Sequence, residues 1–373
     1  MNNKNAIKTI LIITFLMGLT ACATTANVEQ KKSSIDLVWP LPPEDPRIKF
    51  VDILSRSDDI QPGISFIDRL IGEEEHVYGL VQPYGSAVDS KGIVYVVDQS
   101  AIKIFDKAGK KYREISVIEG IKLVAPTGIA IASDGTVFVS DAKLKGVFGF
   151  DLNGKMLIAL GGEDGCGESL FERPAGLAVD SANNRLYIVD IKKHHIIAFD
   201  LKGQFVYIIG DRGTDLGNFN YPTNITVDKE GNIYVSDEGN FRVQIFDSKG
   251  KVIKSIGNIG TRLGEFARPK GVAVDSEGHI YVIDAAFQNF QIFGRGGRLL
   301  MFVGGGGKGP GQFSLPTGIF IDSEDRIYIA DRMNRRIQIF EYLGEKWRQR
   351  QAAKPAQPVQ PVQIEQPLQV EKK

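Results

Sequence analysis

The sequence is short of the side chains on which most catalytic and metal chemistry is built. Its 373 residues hold four histidines and two cysteines, and its 45 basic and 45 acidic side chains cancel. A balanced charge excludes a global pull toward nucleic acid or anionic membrane, so any electrostatic footprint must be local. A catalytic zinc site typically uses three convergent protein ligands, and His76, His194, His195 and His279 offer no such set. His194 and His195 are neighbours on an expected strand and point to opposite faces. His279 falls in a turn at the other end of the strands. Cys166 sits in a glycine-rich stretch with no histidine beside it, so neither a Cys–His nor a Ser–His–Asp arrangement can be argued. No cofactor and no metal are expected. Apolar runs are scarce too: "TILIITFLMGL" (9–19) is too short to cross a bilayer as a helix, and no later stretch is long or apolar enough.

Glycine, with 41 residues, and phenylalanine, with 21, are what the chain has in quantity, which points to many turns and strands. Four stretches share one frame: "GEDGCGESLFERP" (162–174), "GDRGTDLGNFNYP" (210–222), "GNIGTRLGEFARP" (257–269) and "GGGGKGPGQFSLP" (304–316). A glycine-rich phosphate cradle occurs once and opens a helix. Here the motif recurs, lacks the P-loop lysine and runs into a strand. The glycines are therefore turn-makers, the Phe a repeated hydrophobic plug, and the Pro a rigid entry to the next strand.

After each proline comes a second pattern, seen in "GSAVDSKGIVYVVD" (85–98), "NITVDKEGNIYVSD" (224–237) and "GVAVDSEGHIYVID" (271–284). It reads as a strand, a tight polar turn and a second strand ending in Asp. A third strand such as "RVQIFD" and a fourth such as "KVIKSIG" follow. The leading prolines are Pro83, Pro126, Pro174, Pro222, Pro269 and Pro316, so the spacing is 43 to 48 residues. Four antiparallel strands in such a period make a β-propeller blade. The fold class is thus all-β, a six-bladed β-propeller of four-stranded antiparallel blades. Blade six lacks a fourth strand of its own, while "RIKFVDILS" (47–55) is a strand without a blade. Placing it beside "RIQIFEY" closes the ring and removes an open edge.

The "P-x-G-[IV]-A-V-D … G-x-[IV]-Y-V-x-D … R-[IV]-Q-[IV]-F-D" frame, clearest at 222–247, 269–293 and 316–340, resembles the NHL-repeat family of six-bladed propellers. The resemblance covers about residues 83–340. The family's "D-x-x-N-x-R" is matched by Asp237-Asn240-Arg242 and Asp331-Asn334-Arg336, whereas "DQSAIK", "DAKLKG" and "DIKKHH" depart from it. The start of the chain carries another resemblance. Lys4 and Lys8 precede the apolar run, and "LTAC" (19–22) resembles the bacterial lipobox. That implies a signal peptide over 1–22, diacylation of Cys22 and anchoring to a membrane. Ala23, where retention in the inner membrane favours Asp, implies the periplasmic side of the outer membrane. Cys166 is then left without a disulfide partner.

The expected organisation is a signal peptide (1–22), an extended linker (23–46) stiffened by "VWPLPPEDP", the propeller (47–345) and a Pro/Gln-rich disordered tail (346–373). "SFIDRLIGEEE" (65–75) reads as a short helix or loop against blade one. The strand-ending Asp98, Asp141, Asp190, Asp237, Asp284 and Asp331 are expected to cap turns. Loops joining second to third strands open on one face and present basic residues. Lys192, Lys193, His195, Asn240, Arg242, Arg332, Asn334 and Arg335 are the candidate partner-binding set there. The leading expectation is a non-enzymatic envelope scaffold that docks a protein or anionic polymer on this face. The alternative is a metal-dependent lyase or lactonase with its site in the central channel, which rests on fold analogy. Nucleic acid is disfavoured by the export signal and by the absence of aromatics among the basic residues.

Overall fold

The computed structural model describes residues 37–60, 77–162 and 170–353. Residues 1–36 with Cys22, the 65–75 segment, His76, Cys166 and the tail from 354 lie outside the described residues.

Blade four shows the plan of the repeat. Pro222–Val227, Ile233–Asp237, Arg242–Phe246 and Val252–Ile256 lie side by side in chain order, each antiparallel to the next. Blades one, two, three and five repeat the arrangement, and six such sheets surround a common axis; a seventh, two-stranded sheet pairs Val117–Ile118 with Ile121–Lys122 between blades one and two. Each first strand starts at its leading proline, opposite the aspartate that ends strand two: Pro83↔Asp98, Pro126↔Asp141, Pro174↔Asp190, Pro222↔Asp237, Pro269↔Asp284 and Pro316↔Asp331. Second and third strands are covered on both faces by neighbouring blades, so they read as unbroken apolar runs. Val94–Asp98 and Asn289–Phe293, for example, are buried throughout. The outermost strands, such as Met156–Gly161, alternate between partial burial and exposure, as strands with one wet face do.

The glycine frame works as turn and plug. Phe171, Phe219, Phe266 and Phe313 are wholly buried between blades. Gly257 adopts φ +77°, and a Cβ there would lie 2.2 Å from the Phe266 ring, so both the turn and the plug demand glycine. The loop amides are occupied by the protein itself: Phe219 N donates to Asp211 O and Gly213 N to Phe219 O. Gln244, Gln291 and Gln338 on the third strands then clamp the loops. Each Oε1 accepts from Gly217, Gly264 or Gly311 N, all at 2.9 Å, and each Nε2 donates to a loop carbonyl.

The ring closes where the sequence requires. Ile48–Leu54 pairs antiparallel with Arg336–Tyr342, from Ile48↔Tyr342 to Leu54↔Ile337, with a bulge at Phe50/Asp52. Phe50 meets Phe340 edge-on at 5.7 Å. Two expectations are corrected. Residues 38–46 are not an extended spacer: Val38–Trp39 turns back onto Ile48–Lys49 as a fifth strand of blade six, and Trp39 packs on Phe340. The start of the expected disordered tail is also ordered. Glu345–Ala352 is a helix, tied to the ring by Glu345 N to Glu277 Oε1 and by Arg350 to Glu324 and Glu341, both at 2.7 Å.

Candidate functional site: the basic mouth of the axial channel

The strand-ending aspartates set the loop face. All six are buried, and five of them collect donors from two loops at once, whereas Asp98 accepts from Val81 N and Gln82 N of the entering loop and from Lys103 on strand three. Asp190 accepts from the N–H groups of Glu172, Arg173, Lys192 and Lys193; Asp284 accepts from Ala267, Arg268, Ala286 and Phe287. Each thereby ties the loop entering strand one to the loop leaving strand two. In blades four and six the D-x-x-N-x-R residues complete this lock. Asn240 and Arg242 donate to Asp237 at 2.8 Å, and Asn334 and Arg336 to Asp331 at 2.9 and 2.7 Å. Asn240 also donates to Gly213 O, Asn334 to Gly307 O, and Arg242 to Asp215 O and Asn218 O. Of the candidate set, these three side chains are occupied by bonds that hold the loops. In blade one the glutamine position carries Lys103, buried and paired with Asp98 at 2.9 Å.

The remaining candidates divide. Lys192 and Arg335 are exposed. Lys193 is half-buried, its Nζ donating to Leu170 O. His194 stands in a left-handed turn conformation, φ +57°, where its Nδ1 accepts from Tyr221 N at 3.1 Å. His195 begins the adjacent strand opposite Asp190; its Nε2 is buried and has no partner among the described residues. Burial holds both imidazoles below the ordinary histidine range, with Arg212 adding to the effect at His194 and Asp190 opposing it at His195. The two rings serve different surroundings, as neighbours on a strand should. Among the described residues no group of three His, Cys, Asp or Glu side chains is placed to hold a metal ion.

The cations that do converge sit beside the leading prolines. Three register positions point at the axis: the residue before each proline, the residue after it, and the residue after the strand-two aspartate. They supply Arg173, Arg268, Lys270 and Arg332 to one side of the channel mouth, around a cavity of about 380 Å³ that Tyr84, Thr127 and Thr223 also line. The channel below it, about 180 Å³, is walled by the first strands. Glycines let those strands close together: a Cβ on Gly128 would lie 2.1 Å from Ala175 O.

Among the described residues that line this cavity and the pocket beside it, Glu238 is the one carboxylate, and it sits in the pocket shared with Arg173, Arg268 and Lys270. Lys270 Nζ lies 2.5 Å and Arg268 Nε 3.3 Å from it. Burial still holds the Lys270 ammonium below the usual lysine range; Glu238 opposes that shift, and Arg268 and Arg173 reinforce it. Arg332 lies over the Tyr84 ring, 4.5 Å from its centroid, and donates to Tyr84 Oη and Gln82 Oε1. Its Nε is buried and has no partner among the described residues. The Arg173 side chain has no ion pair among the described residues. Sequence reasoning found Arg332 and missed Arg173, Arg268 and Lys270. The signal was present in "ERP" and "ARPK", because positions flanking a repeated proline face the axis of a ring.

A profile of the NHL repeat matches residues 219–246, and a profile described as a 6-bladed beta-propeller matches residues 122–210 and 276–353. Among solved structures, a Bacteroides thetaiotaomicron structural-genomics protein of unknown function is similar at 18% identity over 70% of each chain, with a TM-score of 0.55. Kuenenia stuttgartiensis hydrazine synthase matches at 16% identity over 71% of this chain and 78% of its own, TM-score 0.52. A catalytically inactive virginiamycin B lyase from Staphylococcus aureus with quinupristin matches at 15% identity over 70% and 94%, TM-score 0.50. At such identities the likeness is one of fold.

Proposed function

We propose that this NHL-repeat protein, a six-bladed β-propeller, is a non-enzymatic scaffold of the bacterial envelope, anchored by lipid at Cys22 on the periplasmic side of the outer membrane. It holds an acidic protein or anionic polymer on its loop face. The observation that carries the reading is the mouth: Arg173, Arg268, Lys270 and Arg332 line its cavity, and Glu238, in the adjoining pocket, pairs with two of them. Lys192, Lys193 and Arg335 extend the basic field over the same face, with His195 beside them as a neutral contact. Cations held in place by neighbouring loops attract an anion without first having to be ordered. The anchor is supported by "LTAC" at residues 19–22.

The test is co-purification from detergent-solubilised membranes. Reversing all four mouth cations to Glu should lower capture of the partner by about tenfold or more, as loss of several close charge pairs does, with the unfolding transition unchanged. Capture that survives the reversal removes the mouth from the reading. Replacing Cys22 by Ser should release the protein from the membrane fraction; continued sedimentation with membranes refutes the anchor.

A further inference from the structure

A second cavity lies away from the basic mouth, where the strap from Pro40 to Arg47 meets blade five. Its volume of about 590 Å³ falls in the range of sites for small organic ligands, roughly 300–1,000 Å³. Its walls are apolar: Pro40, Pro43 and Ile48 on one side, Ile292, Leu300 and Met301 on the other. Among them stand three polar side chains of fixed orientation: Tyr281 and Tyr342, whose hydroxyls are spent on Asp275 and Glu277, and His279. Its Nδ1 lies 2.8 Å from Oδ2 of Asp275, a carboxylate with no exposed surface. Asp275 also accepts from Glu277 N, His279 N and Tyr281 Oη, so it cannot turn away.

The bond to Asp275 raises the imidazole above the ordinary histidine range against the effect of burial; Glu277 assists and Arg295 opposes. The Tyr342 ring lies edge-on to it at 5.4 Å. The protonated ring carries a second N–H at Nε2, and that group has no hydrogen-bond partner among the described residues. A charged donor beside apolar walls is costly unless an acceptor meets it, and an anionic acceptor makes the stronger bond. Blade four has Asn232 at the matching position, bonded in the same way to Asp228 at 2.9 Å. Blade one has Ile93 there, whose backbone N–H alone donates to Asp89, so the turn does not need a histidine. Glu44, Asp45 and Arg47 line the rim, exposed to water that screens them. His279, when protonated, is the cation among the wall residues.

We propose that this cavity binds an amphipathic monocarboxylate, its apolar body between the strap and Leu300–Met301 and its carboxylate on Nε2–H of His279. The site is separate from the loop-face mouth. Calorimetry on the full-length protein with octanoate, octylamine and 1-octanol as probes tests it. Octanoate should bind one-to-one, and the amine and alcohol about tenfold more weakly or less. His279→Asn keeps the bond to Asp275 and should weaken octanoate about tenfold, while Met301→Trp fills the cavity and should abolish binding. Reversal of Arg173 and Arg332 to Glu should leave octanoate unaffected. No octanoate binding, equal binding by His279→Asn, or a preference for octylamine or octanol overturns the proposal. So does loss of binding on reversal at the mouth, which would move the site to the loop face.

Discussion

Asp331 accepts from Ser314 N, Asn334, Arg336 and Gln338 with no exposed surface of its own, and Asp237 repeats the pattern in blade four. Removing such a carboxylate leaves a largely buried guanidinium unpaired. Asp331→Ala should therefore cost about 3–5 kcal/mol, read as a fall in the urea midpoint; a change within experimental scatter would contradict the lock described for these loops. The histidines give a pH-dependent counterpart. His194 and His195 resist protonation in the fold but not in the unfolded chain, so unfolding takes up protons and stability falls as pH drops below about 6.5. His279, raised in the fold, acts in the opposite sense: its contribution is complete below that value and is lost as pH rises through its folded pKa. His194→Asn, which tolerates the left-handed turn, should flatten the acid-side fall of the urea midpoint; an unchanged slope refutes the assignment. The capping aspartates were legible in the sequence because part of the cap is local in five of the six, from residues two or three positions on; Asp98 is the exception. The glutamine clamps were not, because Gln244 meets Gly217 only after the ring brings a loop back 27 residues.

At the scale of elements, closure by Ile48–Leu54 could be read from a count: six third strands, five fourth strands, one strand left over. The fifth strand, Val38–Trp39, could not, since Pro40, Pro42 and Pro43 look like a stiff spacer until a partner is supplied by the hairpin. A chain begun at residue 56 lacks both strands and leaves Arg336–Tyr342 as a bare, hydrophobic edge. It should be oligomeric or insoluble by size exclusion; a monomer with an unchanged unfolding transition would show that the ring closes otherwise. Within the ring, Phe313→Ala should cost about 3–5 kcal/mol, since the plug is wholly buried against Phe290 and Phe340.

For the whole molecule, net neutrality conceals a polarised surface. Forty-five charges of each sign cancel in sum, yet the axis of the loop face gathers Arg173, Arg268, Lys270 and Arg332, with Glu238 paired to two of them. Loop connectivity made the loop face itself legible in the sequence. The bonds that engage Asn240, Arg242 and Asn334 within their own blades were not legible, nor were the axis-facing cations, because those positions are defined only by the ring. Glu238 makes the sign of the account testable in both directions. The direct measurement is titration of the protein with poly-L-glutamate as a defined acidic partner, at two salt concentrations. Glu238→Gln should tighten binding by a few-fold, in keeping with about 0.2–1 kcal/mol for a partly exposed pair, and Arg173→Glu with Arg332→Glu should weaken it, both effects shrinking as salt rises. Binding that is absent, indifferent to all three substitutions, or stronger in high salt would contradict a basic mouth as the docking site.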